Sequence, residues 1–491
     1  MELDSDACYR AFASRDRRFD GRFFTAVLST GIYCRPGCPA RLPRPRNVRF
    51  FACAAAAEEA GFRPCLRCRP ETAPGSPAWL GTSATVSRAL RLIADGQLDR
   101  GGVGSLAARL GVGARHLRRL FAAHVGASPL AVAGTRRAHF ARRLLDETDL
   151  PMSEIALAAG FGSTRRFNHA IRDTFRRTPL ELRRARGRQP HVDAAEGLVL
   201  RLPCRPPLDW DAMLAFLGAR AIPGVEAVEG GAYRRTIEVD GVRGSLEARA
   251  LPGEHVLALR LRLSAPRDLI GVAERAGRLF DLHADTAAIA AHLSRDPLLR
   301  RALAGRAVRV PGAWDPFELA VRAVLGQQVS VRGAVTLAGR LVRACGAPLA
   351  AGGGLTHLFP TPARLAEADL AGIGLTRARA RALQSLVTAV RDRTLRFDAL
   401  GTLDQAVAKL AALPGIGAWT AHYVAMRALG EPDAFPAGDL GVRHALARGG
   451  RLPSARAAEA RAEAWRPWRA YAVMTLWTRG STGSRRTQES R

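Results

Sequence analysis

Residues 413–430 read LPGIGAWTAHYVAMRALG and predict a hairpin between two helices. The two glycines of its turn, Gly415 and Gly417, permit backbone conformations that other residues rarely adopt. The N–H groups of such a turn, together with the positive end of the helix that follows, can point at a phosphate group. Many turns between helices contain two glycines, so the hairpin alone is a modest indication of function.

An acidic residue and three aromatic residues lie in or after this stretch. Asp439 follows a Pro-Ala-Gly loop, so it can cap a helix or can supply a negative charge to a reaction. Trp419, Tyr423 and Trp477 offer flat faces on which an electron-poor ring can stack. Aromatic residues four positions apart on a helix are also common in a core. The residues alone leave these alternatives open.

The sequence around the hairpin indicates two kinds of structure. Helical patterns continue almost throughout from Leu269 onward and predict an all-α domain that contains the hairpin. Before it, residues 197–264 alternate apolar and polar side chains and predict antiparallel strands with a turn at Asp240-Gly241. This part is expected to be α+β. The arginine-rich tail, residues 478–491, is expected to be unstructured.

Two short helix pairs precede this half of the chain. Residues 105–129 and 153–179 each predict a helix, a glycine turn and a second helix rich in arginine, which is the plan of a helix-turn-helix motif. The arginines are Arg115, Arg118, Arg119, Arg165, Arg166 and Arg172. They can contact DNA or can form a solvated helix face, and the duplication favours DNA. A break at 71–85 and a basic linker at 183–190 bound this region.

Four of the eight cysteines are closely spaced near the amino terminus. Cys34 and Cys38 form a C-x3-C motif, and Cys65 and Cys68 form a C-x2-C motif. Two such pairs are the usual way to supply four thiolates to one Zn²⁺ ion. Such a zinc site can serve folding alone or can hold a nucleophilic thiolate. The other cysteines are expected to be ordinary buried thiols: Cys8, Cys53, Cys204 and Cys345.

Length and charge agree with a protein of several domains that binds a polyanion. A chain of 491 residues is enough for about three to four domains. Its 74 basic and 44 acidic residues give a formal net charge of +30, which attracts nucleic acid. No segment has the pattern of a signal peptide or of a membrane span, so a cytoplasmic protein without membrane partners is expected.

Residues 1–75 resemble the zinc domain of the Ada family, through TGIYCRPGCPAR and AGFRPCLRC. That family repairs methylphosphotriesters in DNA and regulates the response to methylation damage. The resemblance implies one Zn²⁺ ion held by Cys34, Cys38, Cys65 and Cys68, with Cys34 also the methyl acceptor. Methylation would remove one negative charge from the site and so strengthen DNA binding.

Residues 85–184 resemble the AraC-type domain that follows the zinc domain in the Ada family. The resemblance implies transcription activation at promoter DNA, with RNA polymerase as a partner. It also implies that the second helix of each motif lies in a major groove. The residues expected to contact DNA are Arg115, Arg118, Arg165 and Arg166.

Residues 195–482 resemble AlkA, a family of helix-hairpin-helix 3-methyladenine DNA glycosylases. The matching segments are AVRAVLGQQVSV (320–331), LFPTPARLAEADL (358–370), the hairpin at 413–430, DAFPAGDLGVR (433–443) and RPWRAYAVMTLW (466–477). The resemblance implies that Asp439 is the catalytic carboxylate and that Gly415 and Gly417 contact DNA. The base pocket would be lined by Trp419, Tyr423 and Trp477.

This segment departs from its relatives at several positions. Gly438 replaces a second acid found in the best-known AlkA. Relatives that also cut the DNA strand carry a lysine where this chain has Trp419, which implies a monofunctional, hydrolytic glycosylase without a cofactor. No cysteine follows Cys345, so no iron–sulfur cluster is expected. Gln328 occupies the position of an apolar wedge, where a glutamine can fill the vacated base stack and contact DNA.

The expected architecture is multidomain and mainly α with α+β parts. The expected domains are a small zinc domain (1–75), an AraC-type double helix-turn-helix domain (84–186), a mixed α/β AlkA amino-terminal domain (195–310) and an all-α helix-hairpin-helix glycosylase domain (311–482). The expected function is methylphosphotriester repair coupled to transcription activation, with excision of alkylated purines from double-stranded DNA. The alternative is a transcriptional regulator whose glycosylase-like half is a catalytically inactive DNA-binding module.

Overall fold

The computed structural model describes residues 4–74, 84–186, 197–304, 306–447 and 449–488. The chain forms two compact units. The first contains residues 1–205, 238–243 and 251–274, and the second contains residues 206–237, 244–250 and 275–491. Residues 75–83 of the expected break and 187–190 of the expected linker lie outside the described residues.

A small four-stranded sheet begins the first unit. Its elements are α1 (Ser5–Ala13), β1 (Phe24–Val27), β2 (Ile32–Cys34), β3 (Val48–Phe51), α2 (Ala54–Glu59) and β4 (Arg63–Pro64). The strand order is β3-β1-β2-β4, in which β1 is antiparallel to both neighbours and β2 runs parallel to β4. Phe24, Tyr33 and Phe62 are buried together with Ala26 of β1 and Ala57 of α2. This aromatic cluster is the core of the small sheet.

Residues 84–186 are mainly helical, and both predicted helix pairs are present. The helices are α3 (Ala84–Ala94), α4 (Gln97–Arg100), α5 (Val103–Leu110), α6 (Ala114–His124), α7 (Pro129–Glu147), α8 (Met152–Ala158), α9 (Thr164–Phe175) and α10 (Pro179–Arg184). The first pair is α5 and α6, which turn at Gly111 with a φ of 71°, and the second is α8 and α9. Leu117 of α6 and Phe167 of α9 are buried, so each second helix packs through its apolar side.

A five-stranded sheet forms the predicted α+β part. Its elements are β5 (Leu198–Pro203), α11 (Trp210–Gly218), β6 (Glu226–Glu229), β7 (Ala232–Val239), β8 (Val242–Ala250), β9 (Val256–Leu263) and α12 (Leu269–Leu279). The strand order is β5-β9-β8-β7-β6, and Leu200 of β5 lies opposite Leu259 of β9. Asp240 and Gly241 connect β7 to β8 with φ values of 48° and 78°, which confirms the predicted turn.

The rest of the second unit is almost entirely helical. Its helices are α13 (Thr286–Leu293), α14 (Pro297–Leu303), α15 (Pro316–Leu325), α16 (Val331–Cys345), α17 (Pro362–Ala366), α18 (Arg377–Arg391), α19 (Leu403–Ala411), α20 (Ala418–Arg427), α21 (Leu440–Ala445), α22 (Ala455–Ala462) and α23 (Arg469–Gln488). A hairpin of β10 (Pro348–Gly352) and β11 (Leu355–His357) was not predicted, and its connecting glycines all have positive φ. None of the described helices has the length and apolar character needed to cross a membrane.

The mainly α fold with α+β parts is confirmed, with one correction at the carboxyl end. The expectation of an unstructured tail is wrong for residues 478–488, because α23 continues to Gln488. That segment contains no proline, so nothing in its backbone blocks a helix that begins at Arg469.

The helix α20 lies between two apolar cores that the described residues of the second unit form. Ala421 and Val424 belong to one core, and Ala425 and Met426 belong to the other. Tyr423 packs against both cores. Because neighbours on both sides hold this helix, the side chains at its exposed end have a rigid support.

Candidate functional site

The cysteine cluster forms where two strands of the small sheet run parallel. β2 ends at Cys34, β4 ends just before Cys65, and their register sets Tyr33 opposite Pro64. The N–H of Cys65 also donates a hydrogen bond to the carbonyl oxygen of Tyr33 (3.0 Å). This pairing brings together two cysteine motifs that are distant in sequence. The four buried sulfur atoms all lie within 4.8 Å of one another: Cys34, Cys38, Cys65 and Cys68.

The cluster fits a tetrahedral zinc ion. Zn–S bonds of about 2.3 Å place the sulfur atoms of a tetrahedron about 3.8 Å apart, which the observed spacing accommodates. Hydrogen bonding with Cys38, then with Cys65 and Cys68, raises the pKa of the Cys34 thiol, and burial raises it further. Four thiols this close together ionise together only when a cation compensates their charge. The donor set therefore requires a metal in order to act as thiolates.

Asp20 holds the loop between the first two cysteines. Its carboxylate accepts a hydrogen bond from the N–H of Gly37 (2.8 Å) and lies 3.1 Å from the guanidinium of Arg35. A Cβ at position 37 would lie 2.7 Å from Cγ of Arg17, so the loop approaches its neighbour too closely for a larger residue. Burial raises the pKa of Asp20, although both polar contacts oppose this shift. Contacts outside the sulfur cluster therefore help to fix the loop that carries Cys34.

A polar cluster joins the small sheet to the long helix α7. Glu58 of α2 accepts hydrogen bonds from the hydroxyl groups of Tyr33 (2.8 Å) and Thr135 (2.5 Å), and it lies 2.8 Å from Nε2 of His139. Burial opposes charge on both members of the Glu58–His139 pair, but their attraction lowers the pKa of Glu58 and raises that of His139. Because Tyr33 precedes Cys34, this cluster connects the cysteine site to α7.

The arginines predicted to contact DNA are exposed on the second helix of each pair. Arg115 and Arg118 lie on α6, and Arg165 and Arg166 lie in the first turn of α9. The side chain of Ser163 caps α9 by accepting the N–H of Arg166 (3.3 Å). This cap fixes where the helix begins and so which residues its first turn exposes. The exposure agrees with both alternatives, a solvated face and a DNA-binding face.

Asp439 lies at the start of α21 and receives three N–H donors. Its Oδ1 atom accepts hydrogen bonds from the backbone N–H of Val442 (2.9 Å) and from the indole N–H of Trp477 (2.8 Å). Its Oδ2 atom accepts the indole N–H of Trp419 (2.9 Å). Asp439 is therefore a helix cap and also the centre of a polar cluster. All three donors are electrically neutral.

Three aromatic rings lie around this carboxylate. Trp419 and Tyr423, one turn apart on α20, stack with ring centroids 5.3 Å apart and an interplanar angle of 14°. Trp477 of α23 lies 6.3 Å from Tyr423 at an angle of 43°. Each of the three residues is partly exposed. The predicted pocket residues are thus brought together, and the packing of Tyr423 against the two cores agrees with the core alternative as well.

The predicted hairpin consists of α19, the turn at 412–417 and α20. Gly415 has a φ of +81°, and a Cβ there would lie 2.4 Å from Cβ of Ala382, so glycine is required. Gly417 is exposed at the start of α20 and has open space around it. Gln328 is exposed in the loop between α15 and α16, with a φ of 54°. All these residues belong to the second unit.

Family models match four successive segments of the chain. The metal binding domain of Ada matches residues 7–71, and a helix-turn-helix domain matches residues 106–185. The AlkA N-terminal domain matches residues 199–315. The HhH-GPD superfamily of base excision DNA repair proteins matches residues 321–470.

One relative is similar over almost the whole chain. The chain is 48% identical over 483 residues to the probable bifunctional transcriptional activator/DNA repair enzyme AlkA of Mycobacterium tuberculosis, and the alignment covers 97% of each protein. The chain belongs to this family. It is also 36% identical over 278 residues to DNA-3-methyladenine glycosylase 2 of Escherichia coli, which covers 56% of the chain and 94% of that protein.

A solved structure shows the same fold. The 3-methyladenine DNA glycosylase from Archaeoglobus fulgidus is 24% identical, with a TM-score of 0.50 over 57% of the chain and 98% of that structure. The resemblances to the Ada and AlkA families are confirmed by these matches. The four-cysteine cluster lies in the Ada-type domain, whose cofactor is one zinc ion. The helix-turn-helix and helix-hairpin-helix domains are the DNA-binding parts of this family member.

Sequence reasoning missed two arginines and a phenylalanine behind Tyr423. Arg427 donates a hydrogen bond to the Tyr423 hydroxyl (2.8 Å), and its guanidinium lies 4.9 Å from the ring centroid of Phe216. The guanidinium of Arg220 lies 3.9 Å from the same centroid. Burial opposes ionisation of Tyr423, but Arg427 and Arg220 together lower its pKa. The sequence pattern that could have indicated them is an aromatic residue four positions before an arginine. It occurs at Phe216 and Arg220 and again at Tyr423 and Arg427.

Proposed function

We propose that this chain repairs alkylated DNA at two centres and couples the first repair to transcription activation. The observation that carries the proposal is a carboxylate whose hydrogen-bond donors, among the described residues, are all neutral N–H groups, beside three aromatic rings, in a chain that also carries a metal-binding thiolate cluster. The division into domains at 1–75, 84–186, 195–310 and 311–482 is part of the proposal.

Cys34 is the proposed methyl acceptor. Zinc, when bound, keeps the sulfur atoms of the cluster as thiolates. The Cys34 sulfur forms a bond to the methyl carbon of a methylphosphotriester while the bond from that carbon to oxygen breaks. The electron pair of the broken bond stays on the oxygen and restores the phosphodiester anion. Because the nucleophile is already ionised, this step needs no separate base.

The transfer changes the charge of the cluster and so its interaction with DNA. The Cys34 thiolate becomes a neutral thioether, which removes one negative charge. One unit charge about 5 Å from a phosphate contributes about 3 kcal/mol at an effective dielectric constant near 20. Salt and solvent lower this value, but half of it still changes DNA affinity about tenfold. Repair of the DNA backbone can therefore increase promoter binding.

The double helix-turn-helix is the proposed promoter-binding region. Arg115, Arg118, Arg165 and Arg166 are exposed on the two second helices, where they can reach phosphates and base edges in adjacent major grooves. An activator acts by contact with the transcription machinery, so RNA polymerase is the proposed protein partner. The cytoplasm, at the nucleoid, is the proposed location, because the proposed function is carried out on DNA.

Asp439 is the proposed catalytic carboxylate of base excision. Release of the base leaves positive charge on the sugar, which a nearby carboxylate stabilises until water adds. The N–H donors orient the carboxylate and leave its charge uncompensated. A purine alkylated on a ring nitrogen already carries positive charge and leaves as a neutral base, so no strong general acid is required.

The neighbours of Asp439 are proposed to hold the extruded nucleotide. Trp419, Tyr423 and Trp477 are partly exposed residues, and their rings are proposed to stack on a cationic purine. Trp419 has no amine that could attack the sugar, so the glycosylase is proposed to be monofunctional and hydrolytic.

The DNA backbone and the base stack have their own proposed contacts in this half of the chain. The N–H groups at Gly415 and Gly417 bind a phosphate, helped by the dipole of α20. Gln328 fills the space that the extruded base leaves in the stack.

Two matched substitutions test the role of Asp439. Asp439→Asn keeps an oxygen that can cap α21 but removes the charge, so release of methylated purines from duplex DNA should fall about 100-fold or more. Asp296→Asn is the control, because Asp296 also caps a helix and accepts an indole N–H, from Trp465 at 2.9 Å. Equal release by Asp439→Asn and wild-type protein would remove Asp439 from the mechanism. No release by the wild-type protein would favour the inactive-module alternative.

Mass spectrometry tests the role of Cys34. After incubation with methylphosphotriester DNA, the wild-type protein should gain one methyl group on Cys34, and Cys34→Ser should gain none. Cys53→Ser is the control, since Cys53 lies outside the metal cluster. Methyl transfer to Cys34→Ser at the wild-type yield would refute the assignment.

A further inference from the structure

The loop between α15 and α16 is tied to the hairpin by one side chain. The Nε2 atom of Gln327 donates hydrogen bonds to the carbonyl oxygen of Gly415 (2.9 Å) and to Oγ1 of Thr420 (3.1 Å). Gly415 lies in the turn of the hairpin, and Thr420 is buried in the first turn of α20. One amide group therefore connects the loop to two parts of the hairpin.

The backbone of Gln327 is held by a third element. Arg379, in the first turn of α18, donates a hydrogen bond from Nη2 to the carbonyl oxygen of Gln327 (2.5 Å). The same helix contacts the hairpin directly, because its Ala382 leaves no room for a Cβ at Gly415. Gln327 thus lies where the loop, the hairpin and α18 meet, and both its side chain and its carbonyl group are engaged.

The next residue, Gln328, has a backbone conformation that needs support on both sides. Its φ of 54° lies in the left-handed region, which residues other than glycine rarely adopt. Gln327 holds the loop before it, and Ser330 caps α16 after it by accepting the N–H of Gly333 (3.1 Å). Between these anchors Gln328 is exposed, and Val329 is 38% exposed. The loop therefore presents these two side chains from a fixed backbone.

We propose that Gln327 is a positioning residue for base extrusion, which makes the loop at 326–330 and the hairpin at 412–417 one rigid body. The proposal rests on the proposed glycosylase function, in which Gln328 enters the base stack while the hairpin binds a phosphate. A side chain inserted into the base stack keeps a nucleotide extruded only if the loop that carries the side chain does not move. The hairpin is bound to the DNA backbone in this proposal, so its contacts with Gln327 hold the loop in place.

Substitution of Gln327 separates extrusion from chemistry. Gln327→Ala removes two hydrogen bonds between neutral groups, so single-turnover release of a methylated purine from a fully paired duplex should fall about tenfold. Release from the same strand with an abasic site opposite the target should stay within twofold of wild type, because no partner base resists extrusion there. The fluorescence of 2-aminopurine at the target position should show a correspondingly smaller extruded fraction.

Two further variants keep the test independent of folding. Thr420→Val removes one of the two acceptors at nearly constant volume, and it should lower release from the paired duplex about threefold. Gln405→Ala is the control, since Gln405 also lies in the hairpin, where it completes the capping box of α19 with Thr402. Its release rates should stay within twofold on both substrates.

The outcomes that overturn the proposal are distinct from failure of the proposed function. Equal losses on both substrates for Gln327→Ala, or no loss on either, would overturn the positioning role. A wild-type protein that releases no base from either substrate would instead refute the glycosylase function itself.

Discussion

Asp439 and Asp296, both in the second unit, have the same local structure but different surroundings. Each caps a helix, and each accepts a backbone N–H at 2.9 Å. Each also accepts an indole N–H, from Trp477 (2.8 Å) and from Trp465 (2.9 Å) respectively. The two carboxylates therefore share two properties: each caps a helix, and each has a tryptophan as hydrogen-bond donor. Neither property distinguishes a structural acid from a catalytic one.

The remaining contact separates the two aspartates. Arg461 lies 2.7 Å from Asp296, whereas Asp439 accepts a second indole N–H, from Trp419 at 2.9 Å. An arginine compensates the charge of its partner within the protein. Neutral donors orient a carboxylate and leave its charge available for a cation on the substrate. We therefore expect the nature of the last donor to decide which acid can stabilise a charged transition state.

Removal of the metal should have the largest effect on the activity and folding of the protein. Neutral groups of the chain complete the site at Asp439, whereas the cysteine cluster requires a cation. Structural zinc binding contributes on the order of 10 kcal/mol to folding. Chelation should therefore abolish methyl transfer and unfold the region around the cluster, while base release stays within twofold. Both activities are measured on one chelated sample, with zinc added back as the control. A parallel loss of base release would show that the site at Asp439 also depends on the metal.

The second effect tests the two indole donors of Asp439. Replacing Trp419 and Trp477 together by phenylalanine keeps aromatic faces but removes both N–H groups. A hydrogen bond to a charged group contributes about 1.5 kcal/mol, so base release should fall about 100-fold. Trp465→Phe is the matched control, since it removes the indole donor of Asp296 and should lower stability alone. Single-turnover release and thermal unfolding distinguish these outcomes, and a wild-type rate for the double variant would contradict the orienting role.

A third carboxylate, Asp281, shows how burial changes the pKa of an acid that also has hydrogen-bond donors. It accepts hydrogen bonds from the N–H of Val310 and the hydroxyl of Tyr471, both 3.0 Å, and burial raises its pKa to about 6. Its protonated form is favoured on folding, so its contribution to stability is complete below the unfolded pKa of about 4 and is lost as the pH rises through the folded value.

Denaturant unfolding at several pH values tests this sign. The free energy of unfolding of the wild-type protein, relative to Asp281→Asn, should fall by about 2 kcal/mol between about pH 4 and pH 7. Asn can still accept both hydrogen bonds, which makes it a matched variant. A difference that does not change with pH would show that burial does not govern this carboxyl group.

The smallest effect concerns Asp296. Burial opposes its ionisation, but the indole of Trp465, backbone N–H groups and Arg461 together lower its pKa. A lowered pKa stabilises the fold above the unfolded value of about 4, and this contribution is lost as the pH falls through the folded value. Asp296→Asn should therefore lower the free energy of unfolding by about 1 kcal/mol at pH 7 and by less in acid. An effect that grows as the pH falls would contradict this assignment.

Local patterns predicted most of the fold. The helix pairs around Gly111 and in 153–179, the Asp240-Gly241 turn and the hairpin at 413–430 depend on neighbouring residues, which a sequence displays directly. The β-hairpin at 348–357 was missed because its strands are short and three consecutive glycines, 352–354, interrupt their pattern. The extension of α23 to Gln488 was missed because the tail is polar and carries no apolar periodicity.

The sites show the same division between local and distant contacts. Cysteine spacing indicated a zinc site, since both motifs have the spacing of metal ligands. Gln327, Arg220 and Arg427 were not singled out, because their partners come from other elements of the chain. Hydrogen bonds such as that from Gln327 to Gly415 link residues that no local pattern relates.

Local sequence patterns establish the order of the domains, the residue types available at each site and the turns and caps that place them. Long-range packing establishes which of these groups meet. The parallel pairing of β2 with β4 gathers the cysteines, and the approach of α20 and α23 to α21 gives Asp439 two neutral donors in place of a cation. The orientation of a carboxylate and the compensation of its charge depend on atoms within a few ångströms, whatever their distance along the chain.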